Sequence, residues 1–169
     1  MSHILGVRGF TPEIKDDVFI APNAAIIGNV KIEQGSSIWF NVTLRGDVNE
    51  IRIGQQVNIQ DGSVVHGTYQ EYGTYLEDRV TIGHLVMLHG CTVKKGSLIG
   101  MGSTLMDGVV IGEHCLVGAG SLVTEGSRFP ARSLIMGRPA KVKRELTAEE
   151  VEKLEQSADN YLLYTSWYK

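Results

Sequence analysis

Residues 93–123 read VKKGSL-IGMGST-LMDGVV-IGEHCL-VGAGSL-V, and every hexad opens with a large aliphatic residue. The same six-residue step is present upstream, in blocks that begin at Ile14, Ile53 and Leu76. The fifth residue of nearly every hexad is small or β-branched, and glycine often stands second. Helical and simple strand periods of 3.6 and 2.0 do not explain this pattern. A hexapeptide repeat is typical of a parallel β-helix, in which each hexad forms one flat face and one corner.

The hexads predict the dimensions of this β-helix. Eighteen hexads, at three to a coil, predict about six coils stacked ~4.8 Å apart, with the aliphatic residues inside and glycine or small residues at the corners. The register breaks after Leu44 and after Val65, where inserts at 46–50 and 67–74 predict loops on one side of the prism. The repeat weakens beyond Val123, where we predict a crossing segment.

A helix is predicted at the C-terminus. Thr147 and Glu150 form a capping-box pattern, and apolar residues follow at helical spacing. We therefore expect a helix over about residues 148–165, packed on the outside of the prism. The expected organisation is one all-β domain, with a parallel β-helix over residues 1–146 and the helical segment over residues 147–169.

Composition excludes several classes of protein. Of the 169 residues 43% are apolar and 21% charged, which suits a globular core rather than a disordered chain. A net charge of −3 provides no basic face for nucleic acid, and no apolar run approaches the ~18 residues of a membrane span. Only two cysteines are present and no secretory signal is visible, so we expect no disulfide framework and a cytoplasmic protein.

The repeat also places histidines relative to one another. His66 and His89 each directly follow an aliphatic hexad residue on the same face of successive coils, so both can reach one ion. His84 lies one face earlier and would reach that ion only from a neighbouring prism. A threefold assembly would complete sites of three histidines with an open fourth position, the layout of catalytic zinc. A surface or satisfied core role is the more common one for a lone histidine, and we assign it to His3 and His114.

Other polar residues gather at these corners. Arg45 belongs to the column of His66 and, with Asp47, stands at the start of the first insert, while Gln60 and Asp61 lie on the face that carries His84. A buried charge needs a partner. We expect Arg45 to pair with an aspartate across a subunit interface, the alternative being an ordinary solvated ion pair.

These motifs resemble the γ-class carbonic anhydrases over nearly the whole chain. The segments that carry the resemblance are Arg45–Asp47, Asn58–Ser63, His66, Gly83-His84, His89–Cys91, Gly100–Ser103, Gly118–Ser121, Gly137–Ala140 and Asn160-Tyr161. The resemblance implies a left-handed β-helix and a homotrimer. It also implies that zinc, or alternatively Fe²⁺ or Co²⁺, is held by His66 and His89 of one subunit and His84 of the next.

The resemblance implies a reaction and further roles as well. Gln60 would orient a metal-bound hydroxide that attacks CO2 to give bicarbonate, and Tyr161 with Asn160 would approach the metal from the helix. The residues implied in inter-subunit contacts are Arg45, Asp47 and Asp61.

Two positions depart from the family pattern. Val48 stands where the best-studied members carry a glutamate, and the loop after His66 is short, with Glu71 as its one acid. Proton transfer would therefore depend on Glu71, a tyrosine or buffer, and turnover would be low.

Other functions stay open at this level. Hexapeptide folds commonly carry acyl-CoA-dependent transferases, and a metal-activated hydroxide also suits hydrolysis such as thioester cleavage. A trimer with structural zinc that binds a partner would be non-catalytic. The set of three histidines favours CO2 hydration.

Overall fold

The computed structural model describes residues 3–168, so Met1, Ser2 and Lys169 lie outside the described residues. The chain forms short strands followed by one helix. In order these are β1 (His3–Leu5), β2 (Glu13–Ile14), β3 (Phe19–Ile20), β4 (Ala25–Ile32), β5 (Ser37–Ile38), β6 (Thr43–Ile53), β7 (Asn58–Ile59), β8 (Val64–His66), β9 (Thr74–Leu76), β10 (Thr81–Ile82), β11 (Met87–His89), β12 (Thr92–Val93), β13 (Leu98–Ile99), β14 (Thr104–Leu105), β15 (Val110–Ile111), β16 (Leu116–Val117), β17 (Leu122–Val123), β18 (Arg128–Phe129), β19 (Ser133–Gly137), β20 (Ala140–Glu145) and α1 (Ala148–Ser166).

Each coil contributes one strand segment to each of three parallel ladders. The first ladder runs β1-β4-β6-β8-β11-β14-β17, the second β2-β4-β6-β9-β12-β15-β18, and the third β3-β5-β7-β10-β13-β16-β19. Strands β4 and β6 turn the corner between the first two ladders, which is why each belongs to both. The hexads pair in register, for example Leu88 with Val65 and with Leu105. The fold is therefore the predicted parallel β-helix, with seven coils rather than about six.

Both ends extend past the repeat detected in the sequence. Ile4 pairs with Ile26, so β1 adds a strand ahead of Ile14 and completes the first coil. At the other end, Phe129 and Ile135 continue the six-residue step after Val123. The prediction that the repeat weakens there was wrong, because an aromatic residue fills an interior position of the last coil. The predicted crossing segment is the antiparallel β19–β20 hairpin, which closes this end.

The hexad positions have distinct physical roles. The first position supplies the fully buried aliphatic side chains of the core. These include Ile26, Leu44, Ile59, Ile82, Leu88, Ile99 and Leu105. Serine at the fifth position forms hydrogen bonds with the backbone at the corner. Ser97 Oγ donates to Gly112 O at 2.7 Å and accepts from Cys115 N at 2.9 Å. At the second position of one hexad, Gly100 cannot be replaced without a clash, because a Cβ there would lie 2.5 Å from the Ala119 nitrogen of the next coil. The repeat thus reflects both core filling and close contact between coils.

The inserted residues lie at one corner, between the first and second ladders, as predicted. A loop joins β1 to β2, β6 carries the extra residues of the third coil, and residues 67–73 join β8 to β9. These three segments line a cavity of about 220 Å³. There, Arg8 donates to the Asp47 carbonyl at 3.1 Å and lies over the Tyr69 ring.

The C-terminal helix forms as predicted and packs on the third ladder, against β5 and β10. Thr147 accepts a hydrogen bond from Glu150 N, and the Glu150 side chain accepts one from Thr147 N, so the capping box is present. The helix buries Leu154, Ala158 and Thr165. No helix of residues 3–168 has the length and apolar character needed to cross a membrane.

A charged cluster attaches the helix to the β-helix. Arg79 bonds Glu155 and Asp159 of α1, and its Nη1 donates to Gln56 at 2.7 Å. His114, two coils beyond Arg79, contacts Glu155 at 3.0 Å, which is a satisfied surface role. Because α1 also carries Tyr161, this cluster helps to set the position of a candidate site residue.

Replacing Arg79 tests this attachment. The Arg79→Met variant keeps an apolar stem but loses the bonds to Glu155 and Asp159, and we expect a loss of about 1–2 kcal/mol in the free energy of unfolding. Urea titration followed by circular dichroism measures it. Lys153→Met is the matched control, since the Lys153–Glu149 pair is a fully exposed i,i+4 pair and its loss should leave the free energy of unfolding nearly unchanged. Equal losses in both variants would contradict the assignment.

Candidate metal centre

The structure brings His66 and His89 together. They end the paired strands β8 and β11 and face each other in register, with His66 Nδ1 3.2 Å from His89 Nε2. Their side chains are largely covered, at 15% and 31% exposure. The sequence-derived column of histidines is confirmed for these two residues.

A carboxylate holds the other nitrogen of each ring. His66 Nε2 lies 3.0 Å from Asp47 Oδ1, and His89 Nδ1 lies 2.7 Å from Asp107 Oδ1. Arg45 donates to Asp47 Oδ2 at 2.8 Å within the same chain, whereas the sequence predicted a partner aspartate across a subunit interface. Carboxylates on the outer nitrogens orient metal-binding histidines, so this arrangement directs the facing nitrogens toward a common point.

The protonation states of His66 and of the two carboxylates suit the binding of a cation. Burial, reinforced by the charge of Arg45, lowers the pKa of His66 below its ordinary value, which favours the neutral imidazole that binds metals. Burial raises the pKa of Asp47 and Asp107, but hydrogen bonds outweigh it, and both carboxylates have lowered pKa values. At neutral pH the site therefore presents a neutral His66 imidazole and two anionic carboxylates, Asp47 and Asp107.

The donor set fits zinc in its spacing. Two nitrogens bound at 2.0–2.1 Å to a tetrahedral Zn²⁺ lie about 3.3 Å apart, close to the observed 3.2 Å between His66 and His89. Among residues 3–168, no group of three or more His, Cys, Asp or Glu side chains is placed to hold a metal ion.

His84 lies on a different corner, after β10, as predicted for this chain. Its Nδ1 is 2.8 Å from Asp61 Oδ2, and Asp61 Oδ1 accepts a hydrogen bond from Phe40 N at 3.2 Å. The His84 side chain is 44% exposed and faces a shallow cavity of about 210 Å³. Aromatic side chains dominate the lining: Trp39, Tyr161, Tyr164, Trp167 and Tyr168.

Gln60 and Tyr161 lie on the His84 side of the molecule. Gln60 is buried, and its amide donates to Asn58 Oδ1 at 3.1 Å; Asn58 in turn donates to Thr81 Oγ1 at 2.8 Å. Tyr161 projects from α1 and packs edge-on against Trp39. Burial, with the nearby charge of Asp61, raises the pKa of Tyr161 to about 12, so the phenol keeps its proton at neutral pH.

Asn160 and Glu71 complete the set of predicted site residues. Asn160 accepts a hydrogen bond from Gln156 within α1. Glu71 lies at the tip of loop 67–73 with an exposed side chain. Cys91 is buried, and desolvation raises the pKa of its thiol to about 12, which agrees with a packing role rather than a ligand role.

Asp107 and Thr68 are two further residues of the site, and the hexad pattern did not single them out. Asp107 bridges His89 and Thr68, whose hydroxyl donates to Asp107 Oδ2 at 2.6 Å. The hexad numbering could have identified Asp107. It stands two residues after Leu105, which places it one coil beyond His89 on the same corner. Thr68 had no such signal, since it lies in an insert where hexad numbering fails.

Comparisons with known proteins identify relatives over the full length of the chain. A family model described as bacterial transferase hexapeptide (six repeats) matches residues 11–46 and 90–125. The chain is 45% identical over 162 residues to a carbonic anhydrase of Geobacillus kaustophilus, covering 96% of this chain and 88% of that protein. It is 45% identical over 164 residues to the mitochondrial gamma carbonic anhydrase 2 of Arabidopsis thaliana, covering 94% of this chain but 59% of that longer protein.

A solved structure has the same fold over almost the entire chain. It is a Bacillus cereus protein described as a putative acetyltransferase, with a TM-score of 0.96 and 45% identity, and the match covers 99% of this chain and 96% of that one. Proteins similar to this chain are thus named either as carbonic anhydrases or as an acetyltransferase, although they share one fold.

Proposed function

This chain belongs to the γ-carbonic anhydrase family of hexapeptide-repeat proteins, and we propose that it hydrates CO2 to bicarbonate at a metal site. The observation that carries the proposal is the His66–His89 pair, whose facing nitrogens have zinc-like spacing while Asp47 and Asp107 hold the outer nitrogens. An acyltransferase would have no need for this arrangement.

Three histidines would hold the metal: His66 and His89 of one subunit and the partner subunit's His84. Zinc held there would lower the pKa of a bound water from ~15.7 to ~7 and so supply hydroxide at neutral pH, and Fe²⁺ or Co²⁺ are the alternative metals. Asp47 and Asp107 keep the two imidazoles oriented, and the Arg45–Asp47 pair holds Asp47 in place.

Exposed apolar side chains support a homotrimer that shares the site. Leu85 follows His84, and Met101 lies one coil above it; these side chains are 71% and 58% exposed. Met106, one coil above His89 on the other corner, is 41% exposed. Apolar patches on two different corners suit a heterologous interface, which closes into a ring when repeated by threefold rotation. The same contact would bring His84 to the His66–His89 pair.

Gln60 and Tyr161 would enter the site from the same subunit as His84. The Gln60 amide is fixed by Asn58 and is suited to orient a small polar reactant by hydrogen bonding. Tyr161, protonated at neutral pH, is suited to donate a hydrogen bond rather than to act as a base. Asn160, adjacent on α1, would add a polar group, and Arg45, Asp47 and Asp61 would lie at the interface.

The groups that could accept the proton released by hydration are few and exposed to solvent. Val48 offers no carboxylate near Asp47, and Glu71 is exposed at the tip of its loop. We therefore propose that Glu71 or buffer accepts the proton, and that turnover depends on buffer concentration. The two buried free cysteines accord with the proposed cytoplasmic location.

Stopped-flow CO2 hydration tests the function. Protein loaded with Zn²⁺, or with Fe²⁺ under anaerobic conditions, should accelerate hydration above buffer in proportion to its metal content. A rate equal to buffer at full metal occupancy would exclude the proposal and favour a structural metal.

Tyr161→Phe tests the role of the phenol. We expect kcat to fall about 5-fold, the equivalent of one neutral hydrogen bond, with zinc content unchanged. Because the pKa of Tyr161 is raised to about 12, its ionisation does not contribute to the pH dependence between pH 6 and 10. The pH–rate profiles of both proteins should therefore have the same shape, and loss of one limb in the variant would show that Tyr161 transfers a proton.

A second candidate is CoA-dependent acyl transfer. It is favoured by the description of the Bacillus cereus structure as a putative acetyltransferase. Isothermal titration with CoA separates the two functions, since a hydratase should show no binding, whereas saturable binding that persists after metal removal would favour the transferase.

A further inference from the structure

His89 belongs to a chain of side chains that joins three successive coils. Asp107 Oδ1 lies 2.7 Å from His89 Nδ1, and Asp107 Oδ2 accepts a 2.6 Å hydrogen bond from Thr68 Oγ1. Thr68 comes from the coil before His89, and Asp107 from the coil after it. A single carboxylate therefore connects a candidate ligand to the loop over residues 67–73.

The surrounding backbone is shaped around this carboxylate. Gly90 has a φ of 57°, and a Cβ at that position would lie 2.2 Å from Asp107 Oδ1. Gly90 N donates to His66 O at 3.1 Å, and Gly108 N donates to Gly90 O at 2.8 Å, so the glycine is fixed between coils. Only glycine leaves room for Asp107 to reach His89.

Thr68 is held as firmly as Asp107. Its backbone N–H donates to Tyr72 O at 2.9 Å, and its carbonyl accepts from Asn49 Nδ2 at 3.0 Å. These bonds place the hydroxyl on the Asp107 oxygen that faces away from His89. With both oxygens engaged, Asp107 has little freedom to rotate.

We propose that Asp107, supported by Thr68, is a positioning residue for His89, an inference that rests on the proposed function. A carboxylate on Nδ1 retains the proton there and directs the lone pair of Nε2 toward His66. It also prevents rotation of the ring about its χ2 angle. Asp47 has the corresponding place on His66, so each imidazole is oriented by a carboxylate of its own.

Metal affinity measures this role without using catalysis. Zn²⁺ affinity is determined by competition with a chromophoric chelator, and the visible spectrum of the Co²⁺-loaded protein reports ligand geometry. We expect Asp107→Ala to weaken Zn²⁺ binding about 10–100-fold and to alter the Co²⁺ spectrum. Asp107→Asn should lose less, because its amide oxygen still accepts from His89 Nδ1, and Thr68→Val should lose about 2–5-fold.

Glu125→Gln is the matched control. Glu125 occupies the same corner position one coil beyond Asp107 and is exposed, so this variant removes an equal charge without changing His89. Its Zn²⁺ affinity should equal that of the wild type.

The outcomes separate the two proposals. Wild-type Zn²⁺ affinity in folded Asp107→Ala and Thr68→Val proteins would overturn the positioning role and leave the proposed function standing. Failure of the wild-type protein to bind Zn²⁺ or Co²⁺ would overturn both. If Asp107→Ala does not fold, Asp107→Asn and Thr68→Val decide the question, since affinities equal to the Glu125→Gln control would refute the role.

Discussion

The His66→Ala and His84→Ala variants are each expected to lose CO2 hydration by about 10³-fold or more, and assemblies mixed from the two are expected to regain part of it. Each variant removes one of three metal ligands, so bound zinc should fall in parallel. In a mixed assembly, a His84→Ala subunit still offers His66 and His89, while a His66→Ala subunit still offers His84. Random mixing should therefore restore about a quarter of the sites.

Co-refolding the two variants at equal amounts, followed by zinc analysis and stopped-flow assay, measures this recovery. His3→Ala, a histidine on the exposed first strand, is the control and should retain full activity. Recovery requires sites shared between subunits, so no gain on mixing would contradict the interface location. A His84→Ala protein that dissociates to monomers would indicate structural zinc instead.

The Met101→Glu variant is expected to dissociate to monomers and to lose metal and activity together. Met101 is exposed one coil above His84, where the proposed interface continues. Burying an unpaired carboxylate there costs several kcal/mol at each of the three contacts, which exceeds what one apolar interface of modest size can offset. Analytical ultracentrifugation measures the mass, and circular dichroism checks that the β-helix persists.

Val142→Glu is the matched control for this substitution. Val142 is also an exposed apolar residue, at 44%, but lies on β20 of the terminal hairpin. It should remain trimeric and active. A trimeric, active Met101→Glu protein would show that the subunits associate through other faces, and His84 would then need a different role.

Much of the fold was predictable because a β-helix is quasi-one-dimensional. Once the hexad period was known, His66 and His89 had to occupy successive rungs of one face, and His84 a different corner. The capping box at Thr147 was equally readable, because it depends on residues three apart. The seventh coil was missed because hexad positions at both ends were not recognised: Ile4, which is 46% exposed, stands ahead of a long insert, and Phe129 is aromatic.

The sequence by itself determined which residues share a column, because the coil length sets their spacing whatever the side chains do. Only the tertiary structure decided which atoms meet. The pairing of His89 with Asp107, and of Asp107 with Thr68, depends on rotamers and on an insert whose path no period describes. The room left by Gly90 is likewise a property of neighbouring coils in contact. Periodicity therefore located the candidate metal centre, while packing between coils oriented its ligands.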